Sequence, residues 1–284
     1  MHDDGLTHRL ELKAAELRLH VVRMMGAGKA HHFGGSLSGA DLVTALYFYK
    51  MRYDPANPAW PERDRFIMSK GHSVPIQYAA LAMLGVLSLG DLPTLKKLGS
   101  RLQGHPAMRA TPGIEGCTGA LGEGLSYANG MALGGRLQGW RFHVYCLIGD
   151  GELHEGQVWE AAMTTVQRRL TNVVAIIDRN RLKAMDASDG PKLLEPLAER
   201  WRTFGWAVRE IDGHDMAAIV EALDWAEQQS ERPPLILANT IKGKGVSFLE
   251  GKPEFHNSAI NPDQLARAVA ELEENLNRLD RVPR

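Results

Sequence analysis

The chain has 284 residues, of which 44% are hydrophobic and 24% charged, and its formal net charge at pH 7 is −1. This composition is typical of a globular domain with a sizeable core, and the balanced charge gives no electrostatic basis for binding nucleic acid or an anionic membrane. No apolar run reaches the roughly 18 residues of a transmembrane helix, and the N-terminus has no signal-peptide pattern.

Apolar residues recur at helical and strand spacings along the whole chain. In the first half they predict helices at 6–25, 41–49, 77–87, 91–98 and 119–135. The second half alternates strands at 142–148, 173–178, 206–211 and 235–240 with helices at 155–168, 195–204 and 215–229. Helices alternating with buried strands indicate an α/β fold, with a central mostly parallel sheet and helices on both faces.

The last stretch, from Pro262 to the C-terminus, is charged and amphipathic. We therefore predict one domain over residues 1–260 and a helical tail over 261–284. Of the two cysteines, Cys146 falls within a predicted strand and Cys117 in a glycine-rich loop. They provide no disulfide framework, so we expect a reducing, cytoplasmic location.

The most informative motif is Gly149-Asp150-Gly151, which follows the strand at 142–148, together with Asn180, which follows the next strand. Parallel strands joined by a helix bring their carboxyl ends to the same sheet edge, where open α/β sheets bind ligands. A carboxylate and an amide oxygen suit Mg²⁺ or Ca²⁺, and two glycines let a diphosphate approach the backbone. The motif therefore predicts a metal-bridged diphosphate site.

The segment GDGELHEGQVWEAAMTTVQRRLTNVVAIIDRNRLK resembles the thiamine-diphosphate motif of transketolases, which consists of GDG, a helix, a strand and then Asn. The resemblance implies a three-layer thiamine-diphosphate-binding fold. It also implies a metal site with side-chain oxygens from Asp150 and Asn180 and the backbone carbonyl of Leu182, holding Mg²⁺, with Ca²⁺ or Mn²⁺ as alternatives. The diphosphate contacts implied in the same way come from Gly149, Asp150, Gly151 and Asn180.

Four histidines lie in predicted loops and match histidines of that family: His32, His72, His105 and His256. The resemblance implies that they line the channel to the reactive carbon, that His72 and His256 also contact the cofactor, and that all four handle substrate hydroxyls and protons. Imidazole suits this work because it donates, accepts and transfers protons near neutral pH. The neighbouring His31 is an alternative to His32, although His32 aligns Gly-Gly-Ser with the family pattern.

A third matching segment, residues 117–124, resembles the T-T-G-P-L-G-Q-G loop of the family. The resemblance implies cofactor contacts from the backbones of Gly119 and Leu121, and it leaves the role of Glu123, which replaces the usual Gln, open. Glu155 matches a glutamate that links the cofactor sites across the subunit interface. An acidic residue at that helix start is also favoured by the helix dipole alone.

The resemblance extends over nearly the whole chain but only over the first part of a transketolase. We therefore predict the N-terminal subunit of a split transketolase, which transfers a two-carbon ketol unit between sugars or sugar phosphates. The implied partner is a C-terminal subunit with the pyrimidine-binding domain, and two copies of each subunit give a symmetric assembly. Two alternatives are the α-type subunit of another enzyme of this cofactor class (a 2-oxoacid dehydrogenase or a deoxyxylulose-phosphate synthase relative) and a non-catalytic cofactor-binding module.

The motif Asp212-Gly213-His214-Asp215 also matches the family. Its Gly and Asp residues are typical of a turn that leads into a helix. We interpret it as a turn and packing feature.

Overall fold

A computed structural model of the chain describes residues 4–182 and 194–281. Within them, five parallel strands form one sheet in the order β1-β2-β3-β5-β4. The strands are β1 (Arg65–Met68), β2 (Val144–Gly149), β3 (Val173–Arg179), β4 (Ala207–Asp212) and β5 (Pro234–Asn239). The helices are α1 (Asp4–Met25), α2 (Phe33–Ser38), α3 (Ala40–Ala45), α4 (Val74–Met83), α5 (Gly124–Gln138), α6 (Gly156–Gln167), α7 (Leu197–Thr203), α8 (Met216–Glu227) and α9 (Pro262–Asp280).

Helices cover both faces of this sheet, because alternate strand residues point to opposite sides. On one face, Tyr145 and Leu147 of β2 pack into a core with α1, α3, α4 and α8. On the other face, Cys146 and Ile148 pack with α5, α6 and α7. The three-layer α/β architecture predicted from the sequence is therefore confirmed, and the strands that carry the motifs are buried on both sides.

The helix α9 packs along α1, and its residues Ala268 and Leu272 are buried in the same core. The predicted domain boundary at residue 260 stays a prediction. Among the described residues, no helix combines the length and apolarity needed to cross a bilayer. Both cysteines are free, Cys146 buried and Cys117 exposed.

Several predicted elements differ from the structure. The strand β1 was not predicted because it has only four residues and begins with an arginine. The helix predicted at 119–135 begins only at Gly124. The predicted helix at 91–98 is replaced by a 3₁₀ helix at Leu89–Thr94, because Pro93 cannot donate the backbone hydrogen bond that an α-helix requires. The helix α2 was also not predicted, and it places His32 at its N-terminal boundary.

Two adjacent glycines of α5 provide a matched test of packing on the sheet. A Cβ at Gly135 would lie 2.6 Å from the ring of Phe142, whereas one at Gly134 would meet nothing within 4 Å. We expect Gly135→Ala to lower the free energy of unfolding by about 1–3 kcal/mol through overpacking. Gly134→Ala should raise it by about 0.5–1 kcal/mol through helix propensity. Urea unfolding of both variants checks this, and equal effects of the two substitutions would contradict the packing of α5.

Candidate functional site

The carboxyl ends of β2 and β3 bring Asp150 and Asn180 to one edge of the sheet, as the parallel topology requires. The Asp150 carboxylate accepts hydrogen bonds from the backbone N–H of Gly151 at 2.8 Å and of Arg181 at 2.5 Å. It therefore connects the loop after β2 to the loop after β3. Asp150 is buried, with 7% of its surface exposed.

A cavity of about 520 Å³ opens at this edge. The predicted site residues that line it are His32, His72, His105, Gly119, Leu121, Gly149, Asp150, Gly151, Asn180, Leu182 and His256. Four further lining residues were not predicted: Gly35, Lys70, Glu152 and Lys242. The structure thus brings loops from all parts of the chain to one cavity.

Glu155 is the predicted cofactor-binding residue that the structure does not bring to the cavity. It is exposed at the N-terminal boundary of α6. A Cβ at Gly122 would approach the Glu155 side chain to 2.8 Å, so the glutamate lies against the loop at 117–124. Its position on the outer surface is compatible with the subunit contact that the sequence resemblance implies.

Three of the predicted histidines form a cluster in the cavity. The ring centroid of His72 lies 4.8 Å from that of His32 and 5.3 Å from that of His256. Burial, followed by the charges of His256 and Lys96, lowers the pKa of His32 to about 4. Burial, followed by the charge of Lys242, lowers the pKa of His256 to about 4. Burial, followed by the charges of His32 and Lys70, lowers the pKa of His72 well below its ordinary value. These imidazoles are therefore neutral at pH 7 and can donate or accept hydrogen bonds.

The structure places His32, and not His31, in the cavity. The backbone of His31 pairs with Ser258, donating at 3.0 Å and accepting at 3.2 Å. This short bridge turns the His31 side chain into the protein, where 2% of the residue is exposed. His105 also lines the cavity, and burial followed by the charge of Lys96 lowers its pKa.

Below the cavity lies a buried ion pair between Lys70 and Asp178. The Lys70 ammonium also donates to the carbonyl of Gly35 at 2.7 Å. Asp178 accepts further hydrogen bonds from the hydroxyls of Ser38 and Thr240. Burial alone would raise the pKa of Asp178, but the charge and hydrogen bond of Lys70 lower it. The Asp178 carboxylate therefore remains charged at neutral pH.

A second lysine, Lys242, reaches the cavity from the loop after β5. Its ammonium donates to the carbonyl of Leu182 at 2.9 Å and to Nδ1 of His256 at 2.9 Å. Burial lowers its pKa to about 8, against the opposing pull of Asp150. A Cβ at Gly34 would lie 2.7 Å from the Lys242 side chain. The absence of a side chain at Gly34, in the Gly-Gly-Ser segment after His32, thus makes room for this lysine.

Glu152, which also lines the cavity, connects three loops. One carboxylate oxygen accepts from the hydroxyl of Ser69 and from the backbone N–H of Gly122 at 2.7 Å, and the other accepts from Gly149 N at 3.1 Å. Burial raises the pKa of Glu152, against these hydrogen bonds, which lower it. The glutamate therefore holds the loop at 117–124 against the Gly-Asp-Gly turn.

The oxygen donors predicted for a metal lie together at the edge of the cavity. Burial and the nearby Asp178 raise the pKa of Asp150 to about 6, so the carboxylate is charged at pH 7. The Asn180 amide oxygen accepts from Leu182 N at 3.2 Å, and the Leu182 carbonyl already accepts an ammonium. This set suits a hard cation. Among residues 4–182 and 194–281, no group of three or more His, Cys, Asp or Glu side chains could hold a metal.

The chain is similar to known proteins along most of its length. The sequence model of the family described as "Transketolase, thiamine diphosphate binding domain" matches residues 11–278. The chain belongs to the transketolase family. It is 46% identical to the 6-deoxy-6-sulfo-D-fructose transketolase subunit SqwG of Clostridium sp., over 91% of this chain and 93% of that protein. It is 41% identical to an apulose-4-phosphate transketolase subunit from Phocaeicola vulgatus, over 96% of each chain.

The fold agrees with that of solved transketolases. The transketolase of Campylobacter jejuni superposes with a TM-score of 0.84 at 28% identity, over 95% of this chain and 45% of that one. The chain therefore corresponds to somewhat less than half of that transketolase. The thiamine-diphosphate-binding fold predicted from the sequence is confirmed.

The buried ion pair below the cavity provides a stability test of this transketolase domain. Lys70→Met leaves Asp178 buried without its counter-ion, so we expect the free energy of unfolding to fall by about 3–5 kcal/mol at pH 7. Without Lys70, burial raises the pKa of Asp178. The loss of unfolding free energy relative to the wild type should therefore become smaller as the pH is lowered and the carboxylate takes up a proton. Urea unfolding between pH 5 and 7 measures both effects.

The control is Lys244→Met, which removes a half-exposed pair to Glu250 at 3.7 Å. We expect it to cost no more than about 1 kcal/mol. A loss for Lys70→Met as small as that of the control, or one independent of pH, would contradict the buried ion pair.

Proposed function

We propose that this chain is the N-terminal subunit of a split transketolase, which binds thiamine diphosphate and a divalent metal, with Mg²⁺ as the first choice. The observation that carries the proposal is the composition of one cavity. A charged carboxylate, an amide oxygen and a buried lysine line it together with a cluster of neutral histidines, one of which, His256, accepts a hydrogen bond from that lysine. A diphosphate with its metal suits the charged groups, and a polyhydroxy substrate suits the histidines.

The residues that would hold the cofactor follow from these positions. Asp150, Asn180 and the carbonyl of Leu182 would bind the metal. The Lys242 ammonium and the glycine-flanked turn after β2 would contact diphosphate oxygens. The backbones of Gly119 and Leu121 would face the rest of the cofactor across the cavity. When bound, thiamine diphosphate supplies the carbon nucleophile and the electron sink for cleaving a ketose C–C bond.

The histidines act on the substrate's hydroxyl and carbonyl groups. Because Lys242 donates to Nδ1 of His256, the neutral ring carries its proton on Nε2 and can donate that proton to a substrate oxygen. His32 and His72 are neutral for the reasons given above, so each can accept a hydroxyl proton or donate a hydrogen bond without the cost of a buried charge. His105 would complete this set from the loop that precedes residue 117.

The partner and the assembly are part of the same proposal. The similar proteins from Clostridium and Phocaeicola vulgatus are named as transketolase subunits and are matched over 93% and 96% of their own lengths. We infer that this chain likewise works with a C-terminal subunit that carries the pyrimidine-binding domain. Two copies of each subunit would form a two-fold symmetric complex in the cytoplasm. Sugars or sugar phosphates, including sulfonated or branched ones, are the substrates expected.

Binding of thiamine diphosphate should depend on the metal. Asp150→Ala removes the one carboxylate of the oxygen set. We therefore expect it to abolish cofactor binding in the reconstituted enzyme, while the circular dichroism of the chain stays unchanged. Titration calorimetry with Mg²⁺ and with a chelator measures this. Asp263→Ala, on the exposed first turn of α9, is the control. Cofactor affinity that neither the variant nor the chelator lowers would contradict the metal site.

The cavity histidines should matter for turnover and little for folding. We expect His72→Ala and His105→Ala each to lower kcat/KM for ketol transfer on the order of 10²-fold, the usual contribution of a positioned acid–base group. Steady-state kinetics of the reconstituted enzyme measures this, with His20→Ala on α1 as the control. Ketol transfer near the wild-type rate in both cavity variants would rule out the proposed role.

A further inference from the structure

The loop after β5 is held at three consecutive residues. The Thr240 hydroxyl donates to Asp178, the Ile241 backbone N–H donates to Nε2 of His214 at 2.8 Å, and Lys242 makes the contacts with Leu182 and His256 described above. The Ile241 side chain is 40% exposed and so gives little packing anchor. Its backbone hydrogen bond to His214 is therefore a principal restraint at this position.

The imidazole of His214 is fixed in one tautomer. Because Nε2 accepts the Ile241 N–H, the proton lies on Nδ1, which donates to Asp41 at 2.7 Å. Arg18 in turn holds both oxygens of Asp41, at 2.9 and 2.5 Å. Burial would raise the pKa of Asp41, but Arg18 and then His214 lower it to about 2. The carboxylate is therefore charged, and it orients the ring.

This chain of contacts runs from α1 and α3 to the cavity loop. Asp41 and Arg18 are both buried, and a buried ion pair contributes little net stability compared with apolar residues of the same shape. The turn that carries His214 also packs closely against the end of β5. A Cβ at Gly213 would approach the Thr240 side chain to 2.5 Å and Ala238 Cβ to 3.1 Å. The arrangement thus favours precise placement of the loop more than it favours stability.

We propose that His214 is a positioning residue that holds the Lys242 ammonium at the cofactor cavity through the backbone of Ile241. The role of that ammonium toward a diphosphate rests on the proposed function, whereas the placement of Lys242 does not. The motif Asp212-Gly213-His214-Asp215 therefore acts on the site, beyond the turn predicted from the sequence. Loss of the His214 hydrogen bonds should free the loop and expose Lys242, which is 1% exposed in the structure.

The test uses three variants of the full chain. His214→Leu removes both hydrogen bonds, and His214→Gln keeps one donor and one acceptor. His143→Leu is the matched control, because His143 is also a half-buried histidine beside a buried aspartate, Asp64, but lies at the amino end of β2. Reductive dimethylation followed by peptide mass spectrometry measures the labelling rate of Lys242 in the chain alone. Calorimetry of the enzyme reconstituted with its partner subunit measures the Kd for thiamine diphosphate.

For His214→Leu we expect Lys242 to be labelled several-fold faster. We also expect the Kd for the cofactor to rise about tenfold, the equivalent of one charge-assisted hydrogen bond. His214→Gln should restore both values most of the way, and His143→Leu should leave them unchanged.

The proposal is overturned if His214→Leu leaves both Lys242 labelling and cofactor Kd at wild-type values. It is also overturned if His143→Leu changes them equally, which would indicate a general loss of stability, or if His214→Gln is as impaired as His214→Leu. If the wild-type enzyme binds no thiamine diphosphate while His214→Leu still exposes Lys242, the proposed function fails and the positioning role stands.

Discussion

The buried ion pair of Lys70 and Asp178 is the constraint on which the rest of the site depends. Lys70 follows β1 and Asp178 lies near the carboxyl end of β3, and β2 separates these two strands in the sheet. Removing both charges from water is costly, and mutual attraction offsets the cost only when other hydrogen bonds satisfy the remaining atoms. Ser38, Gly35 and Thr240 provide them. Four separate segments are therefore fixed relative to one another beneath the cavity.

The same pair determines which charged groups in the cavity remain available to a ligand. Because Lys70 is neutralised by Asp178, Lys242 is the lysine whose charge remains for an anionic group, and Asp150 keeps the negative charge that a metal requires. Burial first, and then the charges of one another and of nearby lysines, lower the pKa values of His32 and His72, so these histidines stay neutral. Charged groups that suit a metal diphosphate and neutral groups that suit hydroxyls therefore line the same cavity.

The sequence predicted the motif residues better than it predicted the buried lysines that contact them. Asp150 and Asn180 could be placed because parallel strands bring their carboxyl ends together. Lys70 and Lys242 were missed because a lysine is normally exposed, and burial of a lysine depends on partners that are distant in sequence. Among the helices and strands, β1 was missed because its four residues are too few to show a period.

Some predictions depended on the resemblance to a family and not on periodicity. The four histidines and the backbone contacts at Gly119 and Leu121 came from matching loops, and the structure brings them all to the cavity. Glu155 came from the same matching but is exposed at the N-terminal boundary of α6 and does not line the cavity. A matching loop assigns residues to a family pattern, and the folded chain decides which of them face the same cavity.

The most direct measurement of the central claim is a ketol-transfer assay with thiamine diphosphate and Mg²⁺, in which a C-terminal transketolase subunit carrying the pyrimidine-binding domain is titrated into this chain. The account predicts no turnover by the chain alone, and activity that rises as the partner is added and saturates at equal amounts of the two. Robust turnover by the chain alone, or no turnover at any ratio of the two subunits, would contradict it.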